Sequence, residues 1–193
     1  MRTVLLTGAD GFIGRNLRTR LERRDDIRLI CIDVGNSKEE LTSAAIEADF
    51  VIHLAGVNRP KDISEFESGN KGLTEELVDL LSSRDKKVPI LISSSIQAAL
   101  DNPYGKSKLG AEEAIRDYAQ LTGASVFIFR LPNVFGKWCR PNYNSVIATW
   151  CNNTTHNLPI QINDPAAELH LVYIDDVAEA FISALDGKVC PET

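Results

Sequence analysis

The segment Thr7-Gly8-Ala9-Asp10-Gly11-Phe12-Ile13-Gly14 follows an apolar run, Arg2 to Leu6, and opens a stretch of helical periodicity from Phe12 to Arg23. A strand that turns through glycines straight into a helix brings two backbones together more closely than larger side chains permit. The same turn leaves the first N–H groups of the helix unpaired and exposes the positive end of its dipole, which suits a phosphate group. Strand, glycine turn and helix therefore predict the first βα unit of a nucleotide-binding sheet.

The chain then repeats the alternation. Strands are predicted at Arg28 to Asp33, Phe50 to Leu54, Val88 to Ser93 and Ser125 to Arg130. Each is short, β-branched and almost free of internal charge, as a strand buried on both faces must be. Helices are predicted at Lys38 to Glu47, Glu65 to Ser83 and Tyr104 to Leu121, the last entered through Asp101-Asn102-Pro103, a cap followed by a proline. Right-handed crossovers make an α/β doubly wound parallel sheet, a Rossmann fold, the economical topology for residues 1–130.

Residues 131–193 have a different texture. Leu131 to Asn144 is rich in Pro, Asn and aromatics and reads as a loop over the carboxyl edge of the sheet, where such folds bind ligands. Beyond it a helix near Ser145 to Cys151, short strands near Pro159 to Ile162 and His170 to Tyr173, and a helix from Asp175 to Leu185 are expected. These form a small, truncated substrate-binding portion whose last helix packs back on the core.

A net charge of -6 over 193 residues supplies no basic field for nucleic acid or an anionic membrane, so phosphate on a ligand must be held by local geometry. No run approaches the roughly 20 apolar residues of a membrane span, and glycines interrupt Met1 to Leu6 before it resembles a leader. A cytoplasmic protein is expected. Cys31, Cys139, Cys151 and Cys190 show no Cys-x-x-Cys spacing, and His53, His156 and His170 form no ligand pair. Reduced thiols and no metal follow.

The chemistry sits at the strand ends. Asp33 closes the second strand nineteen positions after Gly14, where a carboxylate bonds both ribose hydroxyls of NAD and repels a 2'-phosphate unless Arg15 or Lys38 offsets it. His53 is read as a packed, hydrogen-bonded histidine, and Leu54, Ala55 and Gly56 as a floor of small residues beneath the cofactor. Arg59 is a phosphate candidate. Ser93-Ser94-Ser95 ends the fourth strand, with Ser95 favoured over Ser94 to hold a substrate carbonyl beside Tyr104. Tyr104 is the general acid, and Lys108, one helical turn on, lowers the tyrosine pKa by its charge and reaches the nicotinamide ribose. An unperturbed phenol near pKa ~10 is too weak a proton donor at neutral pH, so the lysine matters. Ile96 and Gln97 stand where sugar dehydration needs an acid and a base, which favours simple ketone reduction. The expected cofactor set is Gly8, Asp10, Gly11, Phe12, Ile13, Gly14, Asp33, Leu54, Ala55, Gly56, Tyr104, Lys108 and Leu131.

Taken together these residues resemble the extended short-chain dehydrogenase/reductase superfamily. His53 to Pro60, Ser93 to Ala98, Asp101 to Gly105 and Phe135-Gly136-Lys137-Trp138-Cys139 through Asn142 to Thr149 are similar to the reductase domain of the bifunctional capsular-polysaccharide enzymes of UDP-N-acetyl-L-fucosamine synthesis. The resemblance implies NADPH-dependent reduction of the C4 ketone of a UDP-4-keto-6-deoxy-N-acetylhexosamine, with C3 epimerisation assigned to a carboxy-terminal cupin domain that this chain lacks. It implies that Asn133 faces the diphosphate, that Arg140, Asn142, Tyr143 and Asn144 line the sugar pocket, beside the substrate-side candidates Ser94 and Arg59 read from the residues above, and that a homodimer forms through the Glu65 and Tyr104 helices. Asp33 departs from the NADPH pattern and admits NAD(H). Two alternatives remain: an NAD-dependent nucleotide-sugar 4-epimerase built on the same tyrosine and lysine, and a non-catalytic dinucleotide-sensing module.

Overall fold

The computed structural model describes residues 1–189, so Cys190 lies outside the described residues. Its frame is a five-stranded parallel sheet in the order β2-β1-β3-β4-β5. The strands are β1 (Arg2–Thr7), β2 (Ile27–Ile32), β3 (Phe50–His53), β4 (Ile90–Ser95) and β5 (Val126–Leu131). The connecting helices are α1 (Phe12–Leu21), α2 (Lys38–Glu47), α3 (Ser64–Phe66), α4 (Leu73–Ser82) and α5 (Pro103–Thr122).

Alternation along β1 shows why its centre, Val4 to Leu6, is continuously apolar. Val4 and Leu6 pack with Leu17, Phe50 and Phe181 on one face, while Leu5 packs with Leu41, Leu77 and Ile115 on the other. Both faces are covered at Val4 to Leu6, and each such Val or Leu contributes about 1.5–3 kcal/mol by leaving water.

Local chemistry sets the helix ends that matter. Asn102 caps α5 by accepting the Gly105 amide at 2.7 Å, and Pro103 occupies its first turn. Gly123, at φ 71, stops it. Tyr104 therefore falls in the first turn of α5, at the carboxyl edge of the sheet. Serines 93–95 belong to β4 and do not lie beyond it, because their backbones continue the ladder with Phe129, Arg130 and Leu131 of β5.

Three expectations change. The predicted helix from Glu65 to Ser83 is broken by a π-helical turn, Glu67–Gly72, between α3 and α4. Pro159 to Ile162 forms no strand: the segment is exposed and has no ladder partner among the described residues. A second, two-stranded parallel sheet joins β6 (Asn133–Phe135), which was not expected, to β7 (Leu171–Tyr173). After α6 (Val146–Thr155), α7 (Ile174–Leu185) returns to the core, where Phe181 meets Phe129 at 4.9 Å between ring centroids. Among the described residues no helix is long and apolar enough to cross a membrane.

Candidate active site

The glycine turn has no room for a side chain at its first and last glycines. Gly8 adopts φ +68, and a Cβ there would lie 2.6 Å from the Ala55 nitrogen. A Cβ on Gly14 would lie 2.1 Å from the Gly8 oxygen. α1 begins at Gly11 with no side-chain cap, so the amides of Phe12, Ile13 and Gly14 have neither an intrahelical partner nor a capping oxygen. Asp33 faces this turn: its carboxylate accepts the Asp10 amide and the Val34 amide, each at 2.8 Å. Lys38, a candidate to offset Asp33, is paired with Glu76 at 3.0 Å. Leu54, Ala55, Gly56 and Leu131 line the same cleft, whose volume is about 1660 Å³. The close backbone approach at Gly8 and Gly14, the open helix terminus and the carboxylate at the end of β2 fit a dinucleotide.

Ser95, Tyr104 and Lys108 meet at the inner end of this cleft. Ser95 Oγ accepts the Gln97 amide at 3.2 Å, which leaves its hydroxyl proton for other use. Contrary to the expectation that the Lys108 charge lowers it, burial raises the Tyr104 phenol above its ordinary pKa, and a hydrogen bond with Ser95 opposes the rise. Lys108 is buried and donates to the Ser93 carbonyl at 3.1 Å. Burial lowers its pKa to about 8, against the opposing charge of Glu112. An ammonium is thus held, with little solvent, one turn from a phenol.

Beneath this group lies a buried polar chain that sequence reasoning only partly found. His53 Nδ1 is 2.7 Å from Thr7 Oγ1 and Nε2 is 3.1 Å from Thr74 Oγ1. Thr74 donates its hydroxyl proton to the Asn70 carbonyl at 2.8 Å, so it accepts from His53 Nε2–H. Burial, followed by the Lys108 charge, pushes the His53 pKa down to about 3, so the histidine is neutral at ordinary pH. Asn70 comes from the π-helical turn. Its amide accepts from Val57 N at 2.9 Å and donates to Val57 O and Ser107 Oγ at 3.0 Å, tying the loop after β3 to α5. No sequence signal marked Asn70, because a π turn has no periodicity of its own. Glu112 was also missed, although it extends the Tyr104, Lys108 series at the same spacing of four.

The proposed substrate end is brought together by contacts across the chain. Arg59 Nε donates to Asn144 Oδ1 at 2.8 Å, and the Tyr143 ring has the Arg59 guanidinium 5.2 Å from its centroid and that of Arg140 5.6 Å away. Trp138 and Asn142, at φ 67 and 55, bend this loop, and the Asn142 amide is held by Thr149 at 2.9 Å. Asn133 lies on β6 at the cleft. Ser94 differs from expectation: it is on the opposite face of β4 from Ser95, and its hydroxyl donates to buried Glu112 at 2.5 Å. Ser94 still lines the cleft, but its hydroxyl proton is committed to that carboxylate. Ile96 and Gln97 are exposed on a 3-10 turn and supply no carboxylate. Among the described residues no group of three His, Cys, Asp or Glu side chains could hold a metal.

Residues 4–192 match the NAD dependent epimerase/dehydratase family. A Pseudomonas aeruginosa UDP-2-acetamido-2,6-beta-L-arabino-hexul-4-ose reductase is 49% identical over 186 residues, covering 96% of this chain and 50% of the relative. The crystal structure of the Staphylococcus aureus capsular polysaccharide assembling protein CapF superposes with a TM-score of 0.86 at 47% identity, over 98% of this chain and 51% of that one. The chain thus spans about half the length of these relatives. A Bacillus cereus UDP-glucuronic acid 4-epimerase, 19% identical with a TM-score of 0.85 over 97% of this chain and 74% of that one, shares the fold.

Proposed function

The chain belongs to the NAD dependent epimerase/dehydratase family, and from that premise we propose that it reduces the C4 ketone of a UDP-4-keto-6-deoxy-N-acetylhexosamine in nucleotide-sugar synthesis for surface polysaccharide. The observation that carries the reading is the Ser95, Tyr104, Lys108 group at the inner end of a dinucleotide-shaped cleft. The 49% identity to a reductase of this ketone class supports it.

A bound reduced nicotinamide supplies the hydride. The residues of the chain do the rest. Ser95 orients the carbonyl oxygen, and Tyr104 gives it the phenolic proton, so that the ketone becomes an alcohol as the carbon is reduced. Lys108 stabilises the phenolate left behind, and its place near Gly56 puts the ammonium beside the cofactor floor. Gly8 to Gly14 and the start of α1 hold the pyrophosphate. Arg59, Arg140, Tyr143 and Asn144 hold the nucleotide-sugar end, with Asn133 at the diphosphate. Without carboxylates at positions 96 and 97 the site lacks the acid and base that dehydration requires. NADH is the preferred reductant in this reading, because Asp33 opposes a 2'-phosphate and Lys38 is already paired.

The test offers UDP-4-keto-6-deoxy-N-acetylhexosamine with NADH and with NADPH in parallel. Stoichiometric consumption of reductant and appearance of the C4 alcohol support the reading. Interconversion of C4 epimers with tightly retained NAD and no net consumption replaces it with an epimerase. Cofactor binding without either reaction rejects the assigned substrate.

A further inference from the structure

Glu112 has no part in the proton transfer described above, yet its side chain is fully buried. It lies on α5 four residues after Lys108 and eight after Tyr104, on the stripe that faces the sheet. Ser94 and Arg130 are register partners on β4 and β5, and both reach the same carboxylate. Ser94 Oγ donates to Oε1 at 2.5 Å, Arg130 Nε to Oε1 at 2.8 Å and Arg130 Nη2 to Oε2 at 2.6 Å. Arg116, on α5, adds a longer contact at 3.4 Å.

A buried ion pair is poor evidence of stability, since apolar residues of similar volume often serve as well or better. What it does impose is geometry. The three strong bonds to Glu112 fix the height and rotation of α5 against two adjacent strands. The residues flanking Ser94 are the ones the site uses: Ser93 presents its carbonyl to Lys108, and Ser95 meets Tyr104.

We propose that Glu112 is a positioning residue, clamped by Ser94 and Arg130, that sets the register of the Tyr104 and Lys108 turns of α5 against the end of β4. The inference deepens the reductase reading and its rate arm rests on it. A displacement of about 1 Å at a reacting group can cost up to ~10²-fold in rate, so a clamp this close to the acid is a strong lever. The charged and titratable groups facing the Tyr104 and Lys108 pair are His53 from β3, Glu112 from α5 itself and, through Glu112, Arg130 from β5.

The experiment compares Ser94→Ala and Glu112→Gln with Glu113→Gln, an exposed neighbour on the same helix. Three readouts are taken: kcat and KM, urea midpoint, and the phenolate titration of Tyr104, obtained by ultraviolet difference against Tyr104→Phe. Ser94→Ala leaves the carboxylate and its Arg130 partner in place, so it probes geometry if Glu112→Gln fails to fold. The expected result is a fall in kcat of about tenfold or more in Ser94→Ala with KM little changed, and a Tyr104 titration moved upward in Ser94→Ala, where the charge is unchanged and the Ser95 hydrogen bond that lowers the phenol is loosened. Glu113→Gln should match the parent protein. The proposal is overturned if the variants lose only urea resistance while kcat and the Tyr104 titration stay with Glu113→Gln. The titration needs no substrate. If the parent protein turns nothing over, the function reading fails while an unmoved or shifted Tyr104 still decides the clamp.

Discussion

Lys108 Nζ lies 3.1 Å from the Ser93 carbonyl oxygen, buried at the end of β4. That contact joins α5 to the strand carrying Ser95, and it holds an ammonium where solvation is poor. Burial lowers the lysine pKa to about 8. In the proposed mechanism the ammonium that stabilises the Tyr104 phenolate is therefore retained near neutrality and lost above it. In the reductive direction kcat should be level below about pH 8 and fall above it, as a pH–rate profile at saturating substrate will show.

The same burial makes Lys108 a stability cost. Its folded pKa of about 8 is below the ordinary lysine value of 10.5, so between these values the unfolded chain binds the extra proton and stability rises with pH. Below that window the cost is fully present. Lys108→Met should gain about 1–3 kcal/mol of unfolding free energy at pH 7, allowing for the lost Ser93 bond, while abolishing turnover. Urea titration of the two proteins at pH 7 and at pH 10 checks the sign, because the difference should shrink at the higher pH.

His53 provides the acid-side counterpart. Its folded pKa of about 3 is far below the ordinary 6.5, so stability is intact above 6.5 and lost as pH falls from there toward 3. The loss should amount to roughly 5 kcal/mol at the acid end. His53→Gln should flatten this part of the stability profile. It should not introduce or remove an ionisation in the pH–rate profile between pH 5 and 8, because the histidine is already neutral there.

Tyr104→Phe should retain cofactor affinity and lose about 10²–10⁴-fold in kcat. Fluorescence titration with NADH separates the two effects. A sensor without catalysis would show no change in either.

Two glycines of the turn should respond differently to one added methyl. At Gly14 the new carbon would meet the Gly8 oxygen at 2.1 Å, and backbone cannot yield that far without rebuilding the turn. At Gly11 the same oxygen is 3.2 Å away. Gly14→Ala should cost about 3 kcal/mol and abolish dinucleotide binding, whereas Gly11→Ala should cost under about 1 kcal/mol. Thermal melts with and without NADH distinguish these outcomes.

Asp33→Ser should shift preference from NADH toward NADPH by about tenfold or more, through removal of charge repulsion worth about 1.4 kcal/mol. The ratio of kcat/KM for the two cofactors is the measurement. Equal ratios in parent and variant would show that the discrimination resides elsewhere.

What the sequence determined by itself is whatever depends on short-range periodicity and backbone sterics. Five continuously apolar runs separated by amphipathic ones specify a parallel sheet covered on both faces, and all five main strands formed within a few residues of expectation. The glycines before α1 and the Asn102-Pro103 entry to α5 act within a few residues, so their consequences were readable, including the place of Tyr104 and Lys108 on one stripe. Tertiary structure decided which side chains share a partner. Ser94 bonds Glu112, and Arg130 reaches the same carboxylate, only because β4 and β5 pair in that register beneath α5. Asn70 reaches Val57 only because a π-helical turn rotates it there, and Arg59 meets Asn144 across 85 positions. A strand pattern at Pro159 to Ile162 could be read, but a strand needs a neighbour to complete its hydrogen bonds, and among the described residues none lies beside it. Local propensity writes the elements, while the pairing of distant backbones selects which polar groups are buried together and hence which residues hold the site in place.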